Sequence, residues 1–147
     1  PVEPTADEKA KIEQYGLNNF EIRLSSTVGS SRDKVLEFFR VADVFTLPSF
    51  VEGLPIALLE AMALGIPSIS TNVFAIPEAV HDGETAVLIE AGEPRGLADA
   101  IVKLKNDPEL RQTIAKQGSE FVLTNFDERE AARIAIRHYE ECFDDAD

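Results

Sequence analysis

Two carboxylates stand out in the apolar stretch FVEGLPIALLEAMALGIP, residues 50–67. Glu60 is the one ionisable side chain between Pro55 and Pro67, and Glu52 precedes it by eight residues. A helix that is apolar on most sides is buried on most sides, and burial of an unpaired carboxylate costs several kcal/mol or more. We therefore expect Glu60 to be hydrated in a cleft or hydrogen-bonded, rather than simply facing solvent. Glu52 is also explained by a helix start, where the dipole favours a carboxylate.

The residues after Glu52 predict a helix start that can hold an anion. Pro55 suits a first helical position, and Gly53 allows the backbone to turn and a ligand to come close. A helix starting near Leu54 would point the N–H groups of Leu54, Ile56 and Ala57 outward, where the helix dipole favours a phosphate without any lysine. Flanking carboxylates and a central phosphate site suit a molecule with hydroxyls at both ends, which is the shape of a nucleotide-sugar.

Short apolar runs alternate with amphipathic stretches along the 147 residues. We predict strands at 20–24, 43–48, 67–71 and 85–89, and helices at 8–16, 30–42, from about 54 to 64, at 93–106, 107–123 and 127–143. This alternation predicts an α/β fold: a Rossmann-like parallel sheet with helices on both faces. Ligands bind such sheets beyond the carboxyl ends of the strands, and the loop after the strand at 43–48 lies at such an end.

Charge and composition argue against several classes of protein. The net charge of −13 disfavours nucleic acid and anionic membranes as partners. No apolar run reaches the roughly 18 residues of a membrane span, and no signal-peptide pattern opens the chain, so a cytoplasmic location is expected. Cys142 is the single cysteine, and His81 and His138 lack metal-type spacing. We expect no metal site and no cofactor.

A series of short motifs carries a resemblance to a known family. The motifs are P-S-x-x-E-G at 48–53, G-x-P at 65–67, I-P-E at 76–78, D-G-x-T at 82–85 and D-P-E-L-R at 107–111. In this order, with two glutamates separated by seven residues, they resemble the donor-binding half of retaining GT-B glycosyltransferases of the large family 4 type (glycosyl transferases group 1). The resemblance runs from about residue 11 to residue 143.

The resemblance implies transfer of a hexose from a UDP-, GDP- or ADP-sugar to an acceptor hydroxyl, by front-face displacement and without a metal. It assigns Glu52 to the transferred sugar, as the catalytic-site residue, and Glu60 to the ribose hydroxyls. The residues that it assigns to donor binding are Ser49, Gly53, Leu54, Pro55, Ile56, Glu60, Thr27 and Val28. Among these, Thr27 and Val28 would lie near the nucleobase.

The sequence departs from the family in two places. Phe74 and Ala75 replace the glycine pair of N-x-G-G-x-P-E, which is expected to narrow or reshape the loop near the donor. The family's opening strand, with the Arg and Lys that clamp the diphosphate, has no match, and Arg23 and Arg32 lie elsewhere. We therefore expect one N-terminally incomplete donor-binding domain over 1–147, with about four strands and a C-terminal helix and acidic tail at 127–147.

The expected partners are a nucleotide-sugar and the missing N-terminal acceptor domain or a partner chain, with a homodimer through an exposed sheet edge as an option. Two alternative functions remain open. The chain could be a catalytically incomplete fragment that serves as a nucleotide-binding or assembly module. A nucleotide-sugar 2-epimerase is disfavoured, because we find none of the further acidic and histidine residues that its cleft would need.

Overall fold

The structure, a computed structural model, describes residues 5–19, 32–127, 129, 132–133 and 136–137. The backbone divides into two compact units, Pro1–Phe38 and Phe39–Asp147. The predicted strand at 20–24 falls outside the described residues. Most of the predicted C-terminal helix does so as well, although residues 129, 132–133 and 136–137 are helical.

The first unit contains helix α1 (Ala6–Gln14), and helix α2 (Arg32–Phe39) ends at the boundary between the units. Both confirm predicted helices. Thr5 caps α1 reciprocally: the Glu8 N–H donates to its Oγ1 atom, and Glu8 Oε2 accepts the Thr5 N–H at 2.7 Å. The backbone and hydroxyl hydrogen bonds from Thr5 hold the pKa of Glu8 below its ordinary value, because they favour the ionised carboxylate.

The second unit is built on a parallel sheet of three strands in the order β1-β2-β3. The strands are β1 (Phe45–Leu47), β2 (Ser68–Thr71) and β3 (Val87–Ile89). They confirm three of the four predicted strands. Because β2 pairs with both neighbours, its four residues are all buried, although three of them are polar.

Besides the helical residues 129, 132–133 and 136–137, four helices follow β1 in the described part of the second unit. They are α3 (Ile56–Ala63), α4 (Ile76–Ala79), α5 (Pro94–Asn106) and α6 (Pro108–Asn125). All but α4 were predicted; α4 is a single turn, too short to show a helical period. Asp107 begins α6 by accepting the Leu110 N–H at 2.9 Å, and Pro108 occupies the first helical position as expected.

Helices cover both faces of the sheet, as predicted. On one face, α3, α4 and the end of α6 enclose a core formed by Leu58, Leu59, Met62, Ile76, Ala79, Val80, Ala86 and Val122, with Phe45, Leu47 and Leu88 of the strands against it. On the other face, α5 and the first half of α6 pack Ala100, Leu104 and Ile114 onto Ile69. Strand side chains alternate between faces, so a three-stranded sheet serves two cores.

Buried hydroxyls tie β2 to its neighbouring segments. Ser70 Oγ donates to the carbonyl of Leu47 at the end of β1 (3.0 Å), and Ser68 Oγ donates to the carbonyl of Ile66 (2.9 Å). Each buried hydroxyl therefore has a partner, which is what makes a polar central strand tolerable. Within the described part of the chain, no helix combines the length and the apolar character needed to cross a bilayer.

Candidate functional site

Three loops share the carboxyl edge of the sheet. They follow β1 at 48–55, β2 at 72–75 and β3 at 90–93. Because the strands are parallel, all three loops leave from the same edge, where α/β sheets bind their ligands. The stretch with both carboxylates therefore begins where a ligand site is expected.

A chain of hydrogen bonds fixes the loop after β1. The buried Thr71, the last residue of β2, donates its hydroxyl to the Ser49 carbonyl at 2.6 Å. Ser49 Oγ in turn donates to Glu52 Oε1 at 2.7 Å, and the Ser49 N–H donates to the Leu47 carbonyl. The Glu52 carboxylate is thus oriented from the sheet through Ser49. Thr71 had not been predicted as a site residue, since its partner lies 22 positions away in the sequence.

The helix start differs in detail from the prediction. Pro55 is buried and is the N-cap, with ψ at 71°, so α3 begins at Ile56 rather than near Leu54. The Ile56 N–H donates to the Leu54 carbonyl at 2.9 Å and does not point outward as predicted. The tight turn through Pro55 causes this change. The half-buried Ala57 keeps a first-turn amide with no acceptor among the described residues.

Gly53 is exposed, and nothing in the fold requires a glycine there. A Cβ atom added at this position would meet no atom within 4 Å. Its φ is not in the left-handed region, unlike that of Gly16, Gly65, Gly83 or Gly92. The bare backbone at Gly53 is therefore open to close approach by a ligand.

Glu60 lies in the middle of α3, one turn after Ile56 and on the same side of the helix. Its side chain is half-buried, and the Oε1 atom is buried. By contrast, Leu58 and Leu59 point into the core. Glu60 is therefore a partly enclosed carboxylate on an otherwise apolar helix, and its hydration in a cleft or its hydrogen bonding stays a prediction.

The loop after β2 contains the one described non-glycine residue with a positive φ, Phe74 at 47°. Its side chain is 68% exposed, whereas Val73 and Ile76 on either side pack into the core beneath α3. Phe74 and Ala75 are the residues that replace the glycine pair. The loop therefore adopts a backbone suited to glycine while it carries an aromatic side chain.

A cavity of about 330 Å³ lies at the same edge, on the α5 side. Its walls come from Pro48, Phe50, Thr71, Ile89, Glu90, Gly92, Glu93, Pro94 and Leu97. A Cβ atom at Gly92 would lie 3.3 Å from the Phe50 ring, so this glycine allows the ring its position. Glu90, Gly92 and Glu93 were not predicted, because only the fold brings the loop after β3 beside the loop after β1.

One feature of the sequence bears on the electrostatics of this edge. There is no Lys or Arg between Arg40 and Arg95, so within this segment only backbone amides and the helix dipole can attract an anion to the start of α3. Thr27 and Val28, expected near the nucleobase, lie outside the described residues.

Comparison with known proteins gives the class that this fold and edge define. The structure matches sucrose-phosphate synthase from Thermosynechococcus elongatus with a TM-score of 0.77 and 26% identity, over 92% of this chain and 33% of that chain. It matches the C-terminal domain of a glycosyl transferase group 1 family protein, LpcC, from Francisella tularensis with a TM-score of 0.72 and 28% identity, over 83% of this chain and 62% of that one. The fold is that of the C-terminal domain of a GT-B glycosyltransferase.

The chain belongs to the glycosyl transferases group 1 family, whose model matches residues 5–121. It is 38% identical to N-acetyl-alpha-D-glucosaminyl L-malate synthase from Bacillus anthracis over 95 residues, and this stretch covers 65% of this chain and 25% of the relative. It is 32% identical over 108 residues to D-inositol 3-phosphate glycosyltransferase from Paenarthrobacter aurescens, covering 74% of this chain and 26% of the relative. The chain thus spans about a quarter of the length of these curated relatives.

Proposed function

We propose that this chain is the nucleotide-diphospho-sugar binding part of a retaining glycosyltransferase of the family 4 type, which transfers a hexose to an acceptor hydroxyl. Family membership and the names of the relatives support glycosyl transfer. Anabaena HepE, which shares the fold at 20% identity, was solved with UDP and with UDP-glucose, in keeping with such a donor. The donor of this chain would be a UDP-, GDP- or ADP-sugar.

The observation that carries the proposal is the exposed glycine backbone of Gly53, beside a carboxylate that Ser49 orients, at the carboxyl edge of a parallel sheet. The backbone from Gly53 towards α3 would contact the sugar and the diphosphate. Glu52 would accept hydrogen bonds from hydroxyls of the transferred sugar, and Glu60 from the ribose. In this arrangement the ligand lies along the side of α3 that carries Glu60.

In the proposed reaction, the bond between the anomeric carbon and the diphosphate oxygen breaks. The acceptor hydroxyl oxygen bonds to that carbon from the same face and passes its proton to the departing diphosphate oxygen, which leaves with both electrons of the broken bond. Backbone dipoles aimed at the diphosphate would stabilise its developing charge. Glu52 would position the sugar ring without forming a covalent bond to it. We expect this binding to need no metal and no cofactor, and the protein to act in the cytoplasm.

The absence of Lys and Arg between Arg40 and Arg95 favours a second candidate function. Glu52 and Glu60 repel a diphosphate, and no cation from this segment offsets them. The chain alone would then bind nucleotide weakly and act as a nucleotide-binding or assembly module. Catalysis would then require cations from outside this segment, and an acceptor domain or a partner chain, as in a homodimer, could supply them. A 2-epimerase gains no support from the described residues.

Titration calorimetry with UDP, GDP and ADP, each with and without EDTA, tests the proposal. One diphosphate should bind, equally well with EDTA, and Glu60→Ala should weaken binding by about tenfold through loss of a charge-assisted hydrogen bond. The matched control is Glu78→Ala, which removes an exposed glutamate from another helix of the same unit and should leave binding unchanged. Absence of binding by all three diphosphates to folded protein would contradict the proposal.

A further inference from the structure

Phe74 holds an unfavourable backbone conformation and an exposed aromatic ring at the same time. Its φ of 47° belongs to the left-handed region, where a Cβ atom crowds the backbone. The residue is 68% exposed, so the buried core does not account for an aromatic side chain here. Strained residues of this kind cluster at ligand sites, because there the side chain is kept despite its cost to the fold.

The loop that carries Phe74 lies beside the loop that carries Glu52. Phe74 follows Thr71 by three residues, which bounds its distance from Thr71 at about 11 Å between Cα atoms. Thr71 is itself bonded to Ser49, whose hydroxyl holds Glu52. The loop then turns toward α3, because Val73 packs into the core on that face of the sheet. Phe74 therefore belongs to a loop at the carboxyl edge, next to a residue that packs on the face of the sheet that α3 covers.

An exposed aromatic ring and an oriented carboxylate on neighbouring loops match the two chemical sides of a sugar. A pyranose ring offers an apolar C–H face to an aromatic side chain, while its hydroxyls donate to a carboxylate. We propose that Phe74 is a specificity-determining residue that contacts the hexose of the nucleotide-sugar. Its ring would lie on the side of the sugar opposite the hydroxyls that donate hydrogen bonds to Glu52. This inference rests on the proposed function, and it assigns to the sugar a contact that a glycine at this position could not make.

The experiment compares a nucleotide-sugar with its own nucleoside diphosphate. Affinities are measured for UDP and UDP-glucose, GDP and GDP-mannose, and ADP and ADP-glucose, using the full chain and the variants Phe74→Ala, Phe74→Gly and Phe74→Tyr. Phe74→Ala removes the ring and keeps the strain, Phe74→Gly removes both, and Phe74→Tyr keeps the ring. Leu123→Ala, which trims an exposed apolar side chain of α6, is the control for general loss of apolar surface.

We expect Phe74→Ala and Phe74→Gly to lower the affinity for the nucleotide-sugar by about three- to tenfold. The affinity for the nucleoside diphosphate should stay within twofold of that of the parent chain. Phe74→Tyr and Leu123→Ala should bind both ligands as the parent chain does. The inference is overturned if the affinity for the nucleotide-sugar is unchanged without the ring. It is also overturned if the affinity for the nucleoside diphosphate falls by the same factor, which would indicate a contact with the nucleotide. If the parent chain binds no diphosphate, the proposed function itself fails, and that result is distinct from either of these.

Discussion

Position 53 in the loop after β1 and position 74 in the loop after β2 differ in whether the backbone favours glycine. Gly53 has a φ outside the left-handed region and open space where a side chain would be, so the fold would accept an alanine there. Phe74 has a left-handed φ of 47°, so the fold would favour a glycine there. Both positions lie at the carboxyl edge, in loops that follow neighbouring strands, and the bond from Thr71 to Ser49 ties the end of β2 to the loop after β1.

This contrast separates what the fold requires from what a ligand requires. Local backbone geometry and packing explain neither residue type. They would accept a side chain at position 53, where the chain has glycine, and would favour glycine at position 74, where the chain has phenylalanine. The proposed ligand, which would need a bare backbone at Gly53 and a ring at Phe74, would explain both. On this proposal, residue choice in the loops reflects binding, whereas residue choice in the two cores beneath them reflects packing.

Substitution of Gly118 is expected to have the largest effect on stability. It serves as the reference for Gly53, because Gly118 is a glycine that the packing of the fold requires. A Cβ atom there would lie 2.6 Å from the Thr85 carbonyl oxygen, where α6 packs against the segment before β3. We predict that Gly118→Ala lowers the free energy of unfolding by about 2 kcal/mol, because overpacking outweighs the gain in helix propensity. Urea denaturation followed by circular dichroism measures it. A change below about 0.5 kcal/mol would show that α6 can shift, and would remove the reference.

Gly53→Ala is expected to weaken ligand binding without lowering the stability of the fold. The added methyl group meets no protein atom, so the free energy of unfolding should stay the same or rise by about 0.4–1 kcal/mol through a less flexible unfolded chain. The same methyl group would obstruct a ligand against the backbone, so we predict roughly tenfold weaker binding of the preferred diphosphate or its sugar. Calorimetry and urea denaturation on one sample measure both. Unchanged binding would mean that the ligand does not approach Gly53.

The sequence predicted most of the fold because regular elements carry periodic signals. Three strands and the helices α1, α2, α3, α5 and α6 lie where alternation, Pro and Gly indicated them. The turn before α3 was predicted only approximately, since the ψ of Pro55 and the bond from Ile56 to Leu54 depend on how the loop packs. The one-turn helix α4 has too few residues to show a period.

The candidate site was predicted in part, for the same physical reason. Glu52 and Glu60 were identified because charge in an apolar stretch is a local anomaly. The role of Thr71 and the cavity beside Phe50 arise from contacts between segments distant in the sequence, so no local pattern reports them. The departure at Phe74 was noted in advance, but its positive φ required a structure.

The backbone strain at Phe74 gives the smallest of these expected effects. The informative result is which of the alanine and glycine variants at position 74 is the more stable. Phe74→Ala and Phe74→Gly both remove the ring, and they differ in whether a Cβ atom remains at a φ of 47°. We predict that the glycine variant is more stable than the alanine variant by about 1 kcal/mol, since the left-handed conformation crowds a Cβ atom. At position 53 the order should be the reverse, with alanine at least as stable as glycine.

This reversal is measured by urea denaturation of the parent chain, Gly53→Ala and both Phe74 variants under one set of conditions. Because each comparison involves only alanine and glycine, the lost phenyl contacts cancel, and the difference reports backbone conformation alone. If alanine were the more stable at position 74 as well, the loop would not hold a left-handed conformation in solution. Phe74 would then need no ligand to explain it, and the contrast between the two loops would reduce to the open backbone at Gly53.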